Sequence, residues 1–263
     1  MSGAPRRSSP HLRVVAPAVG VAVFLTVWEA FIRIRDVRPF VLAAPSDILR
    51  YFGKAPGDFA SASLITTRHA LVGFLAALVV ALLLGSLLVA SPFAERAAAP
   101  VLVLIQVAPF VAYISSIVLW LGAGDPPAYF TTALVCLPAF VFAAVGGMRG
   151  ADPASRELFA SVDAPRWEVM WRLRLPSAMP SLFTTARYSI GLALIVSYLV
   201  EGSNFSDEGL GAIGKRAAAN NIGDALWATV FSMVVLGTIG LGLITLLERW
   251  LLHWHASQRT TNA

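Results

Sequence analysis

The sequence has little charge and almost no cysteine. Only 13% of its 263 residues are charged, while 57% are apolar, and a typical soluble domain carries about 25% charged residues. This composition excludes an ordinary water-soluble protein and a disordered chain. The single cysteine, Cys136, excludes an intrachain disulfide and a cysteine-rich zinc or iron–sulfur site.

Histidine is also scarce, with four residues in the chain. No two of them share a loop or an apolar run with a carboxylate at ligand spacing, so we predict no catalytic residue, no metal and no cofactor. The chain is therefore predicted not to be an enzyme. His11, His69, His253 and His255 all lie near the ends of apolar runs, and interfacial positions are expected for His253 and His255.

Long apolar runs are what the sequence has in abundance. A helix needs about 20 mostly apolar residues to cross the hydrocarbon core of a membrane, and the mean hydropathy of +0.72 fits several such helices. We predict an all-α, multi-pass membrane protein with six transmembrane helices. The runs are 14–32, 70–90, 99–121, 128–148, 182–200 and 226–248.

The positive residues predict the orientation. Twelve Lys and Arg fall on the side of the N-terminus and eight on the other side, and the richer side is normally cytoplasmic. Both termini are therefore expected in the cytoplasm, and this distribution of charge gives no indication of nucleic-acid binding. The expected organisation is a cytoplasmic tail over 1–13, a six-span domain over 14–248 containing a cytoplasmic loop over 149–181, and a cytoplasmic tail over 249–263.

A short helix is predicted between the first two spans. In the stretch APSDILRYF, Ser46 is expected to cap a helix that carries Ile48, Leu49 and Phe52 on one face. Such a helix would lie on the outer membrane surface.

A glycine-rich stretch over 209–216 contains the spacings G-x-G-x-x-G and G-x-x-x-x-G-K, which in other proteins bind nucleotide phosphates. Arg216 stands where a phosphate-binding loop needs Ser or Thr, and a membrane helix precedes the stretch instead of a buried strand. We therefore predict a glycine-rich turn between two helices.

The loop over 149–181 is the segment whose pattern indicates a function. Trp167 and Trp171 share a helical face, Pro165 and Pro176 bound that helix, and a break is expected at 163–165. An apolar and aromatic surface on a water-side loop needs a cover, either the ends of its own spans or another protein. An amphipathic helix resting on lipid headgroups is the alternative interpretation.

The same loop resembles the EAA coupling loop of binding-protein-dependent ABC importer permeases. In that family the loop reads E-A-A, three residues, G, nine residues, I-x-L-P, and its two short helices dock on the cytoplasmic ATPase. Here Leu158 and Phe159 replace the two alanines and Asp163 replaces the glycine. The resemblance implies that the ATPase-coupling residues are Glu157, Asp163, Ala164, Trp167, Trp171, Leu173 and Pro176.

Most of the chain is similar to the nitrate, sulfonate and taurine branch of these permeases. Similar segments include WEAFIRI, LWLGAGD, LPSAMPSLFTTARYSIGLAL and LERWLLHWH. The resemblance implies a type I importer fold in the bacterial plasma (inner) membrane, which forms the translocation pathway for a small solute. The implied partners are a cytoplasmic ATPase, a second permease copy or paralogue, an extracytoplasmic substrate-binding protein and membrane lipid.

Polar groups and prolines inside the apolar runs are candidates for the pathway. Gln106 and Pro109 place an amide and a freed backbone carbonyl within the third run, and Pro138 lies within the fourth. These three residues either line a pathway or mark helix kinks in which Gln106 bonds to a neighbouring helix.

Three charged residues near the ends of the apolar runs also need a charged partner or contact with water. Glu29 and Glu201 are expected to meet an Arg partner or interfacial water. Arg187 is expected to snorkel to the cytoplasmic interface or, alternatively, to meet a substrate anion.

Other functions remain as alternatives. The importer could carry a thiamine-pyrimidine or riboflavin-type precursor, since similar permeases are associated with those solutes. An ion-coupled secondary transporter would need inverted repeats or deep acidic sites, and neither is visible in the sequence. A non-conducting scaffold subunit would leave transport intact when the chain is deleted.

Overall fold

The structure is a computed structural model. It describes residues 10–203 and 207–252, with side chains from Val15 onward. Most of the two predicted tails, together with His253 and His255, therefore lies outside the described residues.

The described part of the chain consists of helices joined by short connections. Five of them are long and apolar enough to span a membrane, and a sixth crossing is formed by a bent pair. The elements are α1 (Pro10–Arg35), α2 (Pro45–Lys54), α3 (Pro56–Ala90), α4 (Pro92–Val107), α5 (Phe110–Leu121), α6 (Asp125–Arg149), α7 (Pro153–Ser161), α8 (Arg166–Val169), a π-helical turn (Met170–Arg174), α9 (Leu175–Glu201), α10 (Leu210–Ala219) and α11 (Gly223–Leu251).

The core lies between α3, α6 and α9, whose facing positions are mostly small. The rings of Phe74 and Phe140 meet edge to face at 5.1 Å, among buried alanines from all three helices. A Cβ at Gly73 would lie 2.5 Å from the Cβ of Thr132. Small residues let the helix backbones approach closely, as van der Waals packing within a membrane requires.

The predicted third span is broken. α4 and α5 differ in direction by 98°, and Ala108 between them has the extended conformation that a residue before proline prefers (φ −59°, ψ 130°). Glu95 near the start of α4 forms an ion pair with Arg149 at the end of α6, whereas α5 leads to the opposite end of α6. The bent pair therefore crosses the bundle once, which gives six crossings.

The prediction that a helix ends near Pro176 is wrong. The helix that begins at Arg166 continues without a break through Pro176 to Glu201, over 36 residues. The backbone N–H of Leu175 donates to the carbonyl of Met170, one residue beyond the α-helical partner, and the Ser177 hydroxyl donates to the Leu173 carbonyl at 2.7 Å. A widened turn and a serine side chain are ways in which membrane helices accommodate proline.

The glycine-rich stretch is a helix, not the predicted turn. Gly209 has a φ of 90° and precedes α10. A Cβ at Gly211 would lie 1.9 Å from the Tyr198 carbonyl oxygen, and one at Gly214 would lie 2.0 Å from the Tyr198 hydroxyl. The glycines therefore serve the close packing of α10 on α9.

The predicted short helix between the first two spans exists, but its start differs from the prediction. Ala44 occupies the N-cap without a side-chain bond, and Glu29 of α1 accepts hydrogen bonds from the Ser46 N–H at 3.0 Å and the Ser46 hydroxyl at 2.8 Å. Ile48 is buried and Phe52 half-buried, whereas Leu49 is exposed, so the three do not share one face. Arg33 also pairs with Glu29 at 3.0 Å, which confirms the expected Arg partner.

Arg187 has a protein partner that the sequence does not indicate. It forms an ion pair with Glu248 and joins α9 to α11. Its guanidinium is therefore engaged within the chain.

Two adjacent glycines of α6 provide a test of the helix packing. A Cβ at Gly147 would lie 2.6 Å from the Ala178 Cα, whereas a Cβ at Gly146 would have no atom within 4 Å. We expect Gly147→Ala to destabilise the protein by about 1–3 kcal/mol through overpacking, and Gly146→Ala to be neutral or slightly stabilising because alanine favours helix. Thermal unfolding of both variants in the same detergent is the measurement, and equal midpoints would contradict the packing described.

Candidate functional site

The predicted coupling segment begins with a capped helix. The Asp152 carboxylate accepts hydrogen bonds from the Ser155 hydroxyl at 2.8 Å and the Ser155 N–H at 2.9 Å. The hydroxyl bond and the backbone bond hold the pKa of Asp152 below its ordinary value. A charged cap of this kind satisfies free N–H groups at the start of α7 and suits the helix dipole.

The break between α7 and α8 is a left-handed helix end centred on Asp163. Its φ is 47°, its N–H donates to the Ala160 carbonyl at 3.2 Å, and the Ala164 N–H donates to the Phe159 carbonyl at 3.0 Å. This is the bonding pattern of a Schellman motif, in which glycine normally occupies the position of Asp163. Aspartate tolerates the left-handed region better than most residues, so the turn persists with this substitution.

Two tryptophans stand out from the segment. Trp167 and Trp171 are 65% and 67% exposed, and Leu158 and Val162 near the end of α7 are equally open. Trp167 and Trp171 lie four residues apart on one helix and so share a face. An exposed apolar and aromatic surface of this kind is typical of an interaction site. We refer to these four residues as the tryptophan face.

The other predicted coupling residues divide between surface and core. Glu157 and Asp163 are exposed, Ala164 and Pro176 are half-buried, and Leu173 is buried against the bundle. The structure therefore brings Glu157, Asp163, Trp167 and Trp171 to the surface of one segment. Leu173 and Pro176 instead join that segment to the spanning part of α9.

The predicted pathway residues are in two different environments. Gln106 and Pro109 are exposed at the break between α4 and α5, whereas Pro138 is buried inside α6. The three residues do not form a cluster in this structure.

A buried polar cluster at the opposite end of α9 is absent from the sequence-based prediction. The Glu201 carboxylate is only 1% exposed and accepts hydrogen bonds from the Thr66 hydroxyl at 2.8 Å and the Gly211 N–H at 3.0 Å. The nearest His69 ring nitrogen is 2.8 Å from the carboxylate, and its other ring nitrogen is 2.9 Å from Asp125. The expected Arg or water partner of Glu201 is therefore wrong, because a threonine, a histidine and a backbone N–H contact its carboxylate.

The cluster also explains the nucleotide-like spacing in α10. The first N–H groups of a helix have no partner within the helix and attract anions. Here the Gly211 N–H binds the Glu201 carboxylate, and the Leu210 N–H donates to the Thr66 hydroxyl at 2.9 Å. Among the residues described, no group of His, Cys, Asp and Glu is arranged to hold a metal ion.

Comparison with known proteins finds relatives that are all described as components of transport systems. Residues 48–253 match the family described as binding-protein-dependent transport system inner membrane component. The chain is 32% identical over 268 residues to the riboflavin transport system permease protein RibX of Chloroflexus aurantiacus, covering 95% of this chain and 97% of that protein. It is 27% identical over 249 residues to the formylaminopyrimidine transport permease protein ThiX of Halalkalibacterium halodurans, covering 94% and 98%.

Two further similarities concern sulfur-containing solutes and the fold. The taurine transport system permease protein TauC of Escherichia coli is 24% identical over 258 residues, covering 94% of this chain and 92% of that protein. A chain of the inward-facing MetNI methionine ABC transporter superposes with a TM-score of 0.59 at 17% identity, covering 72% of this chain and 95% of that chain. The structural similarity concerns the fold.

The turn at Asp163 provides a test of the break in the coupling segment. Asp163→Gly should preserve the turn because glycine has no Cβ to oppose a φ of 47°. Asp163→Val should cost about 1–2 kcal/mol locally, since a β-branched residue is disfavoured there. Limited proteolysis between α7 and α8 measures the difference, with faster cleavage expected for valine than for aspartate or glycine. Equal cleavage of all three would contradict the role given to the turn.

Proposed function

The chain belongs to the family of binding-protein-dependent transport system inner membrane components, and from this premise we propose how the permease receives the energy of ATP hydrolysis. It is a multi-pass inner-membrane permease subunit of an ABC importer, not an enzyme. Under the proposal, the tryptophan face docks on the cytoplasmic ATPase and the loop over 149–181 is cytoplasmic.

The observation that carries this proposal is the exposure of Trp167 and Trp171 on a helix that continues into the membrane. Their large apolar surfaces are open in the isolated chain, and burying an aromatic side chain at an interface contributes strongly to binding. Arg166, Arg172 and Arg174 lie in the same segment as the two tryptophans and favour the cytoplasmic side. A partner that covers the tryptophans therefore contacts the chain on the side where ATP is available.

The continuous helix gives the docking a mechanical consequence. Arg166 to Glu201 is one helix of 36 residues, roughly 54 Å long at 1.5 Å per residue. The tryptophan face is at one end of this helix and α9 packs in the core along most of its length. When the docked segment moves, α9 therefore moves with it inside the transmembrane bundle.

A second permease copy or paralogue completes the proposed pathway. An open apolar groove of about 510 Å³ lies beside the bend between α4 and α5, lined among others by Leu104, Tyr113, Trp120 and Phe130. In the described part of the chain α3, α6 and α9 pack closely on one another, so the pathway is expected between two permeases. Gln106 and Pro109 are exposed at this bend and are proposed to line it.

Pro138 has a different proposed role in the pathway. It is buried within α6, so it reaches a pathway only if the helices that cover it separate. Its ring prevents one backbone hydrogen bond in α6 and thereby makes this helix easier to bend.

The proposed cargo is a small solute of the nitrate, sulfonate or taurine type, delivered by an extracytoplasmic binding protein. TauC supports taurine-like cargo, whereas ThiX and RibX support the alternative of a pyrimidine or riboflavin-type precursor. Binding of nitrate, taurine, a formylaminopyrimidine and riboflavin to the cognate binding protein distinguishes the two. Tight binding of riboflavin or the pyrimidine alone would replace the proposed cargo with the alternative.

The tryptophan face gives the decisive prediction. Trp167→Ala combined with Trp171→Ala should reduce substrate-stimulated ATP hydrolysis and transport by at least about tenfold, because two aromatic anchors are removed from the interface. Stability in detergent should change little, since both side chains are largely exposed. Transport and ATPase activity in proteoliposomes, together with recovery of the ATPase after affinity purification, are the measurements.

The control is Leu64→Ala, an exposed apolar residue of α3 outside the loop, which should leave coupling unchanged. Cysteine crosslinking from Asp163 to the co-expressed ATPase tests the contact directly. If lipid probes label that position freely and the ATPase never crosslinks to it, the headgroup-resting interpretation replaces docking. If transport persists without the chain, the scaffold alternative replaces the permease function.

A further inference from the structure

The polar cluster formed by Thr66, His69, Asp125, Glu201 and Gly211 has no role in the coupling proposed above. It joins α3, α6, α9 and α10 at the end of the bundle opposite the tryptophan face. We call these residues the outer cluster. Burying a carboxylate without partners is costly, so the outer cluster exists only because every group in it is paired.

The hydrogen-bond partners of Glu201 suit a carboxylate that only accepts. One of its oxygens accepts from both the Thr66 hydroxyl and the Gly211 N–H, and the other faces His69. Thr66 has a single hydroxyl proton, and it donates this proton to Glu201 while its oxygen accepts from the Leu210 N–H. Two donors directed at one oxygen, and a third group at the other, suit a carboxylate, which only accepts.

His69 lies between two carboxylates, and this position bears on the protonation state of its ring. Its Nδ1 is 2.8 Å from Glu201 and its Nε2 is 2.9 Å from Asp125. A neutral imidazole has one N–H and can donate to only one of them, whereas an imidazolium donates to both. The imidazolium is the form that satisfies both carboxylates.

The surrounding charges agree with that form. Arg68 of α3 pairs with Asp125 at 2.6 Å, and the Tyr129 hydroxyl of α6 donates to the same carboxylate at 3.0 Å. On α9, the Tyr198 hydroxyl is engaged with Thr229. With a charged His69, two cations balance two carboxylates; a neutral His69 would leave one negative charge unbalanced beside the core.

The start of α10 depends on this cluster. Leu210 and Gly211 have the first N–H groups of the helix, and they bond to side chains of α3 and α9. A Cβ at Gly209 would lie 2.3 Å from a Glu201 oxygen, so the backbone of α10 rests directly on the carboxylate. Any movement of the Glu201 carboxylate therefore displaces the start of α10.

We propose that His69 is a positioning residue, held as an imidazolium between Glu201 and Asp125, and that this protonated bridge fixes α10 to the outer end of the α8–α9 helix. Glu201 is the last residue of that helix, so α10 moves together with the helix end as long as the bridge is protonated. Alkaline pH removes the ring proton, breaks one side of the bridge and loosens α10. The attachment does not depend on the ATPase-coupling proposal; only its use in transport does.

Hydrogen exchange of the backbone amides of α10 in the full-length chain tests this proposal. In the wild type, the protection of residues 210–219 should fall about tenfold as the pH is raised through deprotonation of His69, after correction for intrinsic exchange, which is the size expected for losing one charged hydrogen bond. His69→Gln should show the low protection at every pH, without a step, because its amide does not titrate. Glu201→Gln should also lose the wild-type profile, because when its amide oxygen accepts from Thr66 and Gly211 its NH2 group faces His69 and cannot accept from the ring N–H.

Arg187→Gln is the matched control, because it breaks an ion pair of α9 far from the outer cluster and should keep the wild-type profile. Asp125→Asn serves if His69→Gln does not fold: Asp125 is 39% exposed on its side chain, and its loss should lower the protection of residues 210–219 because the imidazolium loses an anionic partner. Wild-type protection that is independent of pH, or full protection in His69→Gln, would overturn the proposal. A variant that loses transport while the protection of residues 210–219 stays as in the wild type would point to a defect in the coupling segment and not in the outer cluster.

Discussion

Close approach of α3, α6 and α9 is the constraint on which the rest of the structure depends. Within a membrane, apolar side chains gain little by leaving lipid for protein, so helices associate through close contact and polar bonds. Gly73 and Gly147 leave no space for a Cβ at their contacts, and Thr132 and Ser197 share a hydrogen bond at 3.1 Å between α6 and α9. With these three helices fixed, the tryptophan face and the outer cluster occupy opposite ends of a rigid core.

The lengths of the apolar runs in the sequence predict most of this architecture. A stretch of about 20 apolar residues has one stable conformation in lipid, because every backbone group must bond within its own helix. For that reason the runs correspond to helices, and the break at 163–165 was predictable from Asp163 and Pro165. The tryptophan face was predictable as well, since residues four apart on a helix share a side.

The errors arise where a local signal depends on distant residues. Pro109 breaks a helix whereas Pro176 does not, and the difference lies in the π-helical turn and the Ser177 bond that precede and follow Pro176. The glycines of α10 are typical of a turn until Tyr198 and Glu201 are placed against them. His69 and Glu201 are 132 positions apart, and nothing in either local sequence reveals their contact. The one indication in the sequence was that both residues lie at the ends of apolar runs, and so at a similar depth in the membrane.

The unbroken helix from Arg166 to Glu201 has a simple geometric consequence. A helix held near its middle by the core acts as a lever, so when one end swings one way the other end swings the opposite way. With arms of roughly 25 Å each, a tilt of about 10° displaces each tip by roughly 4 Å in opposite directions. Under the proposed coupling, narrowing at the face that docks on the ATPase is thereby linked to widening at the far face, and one continuous helix suffices for a passage that is never open at both ends.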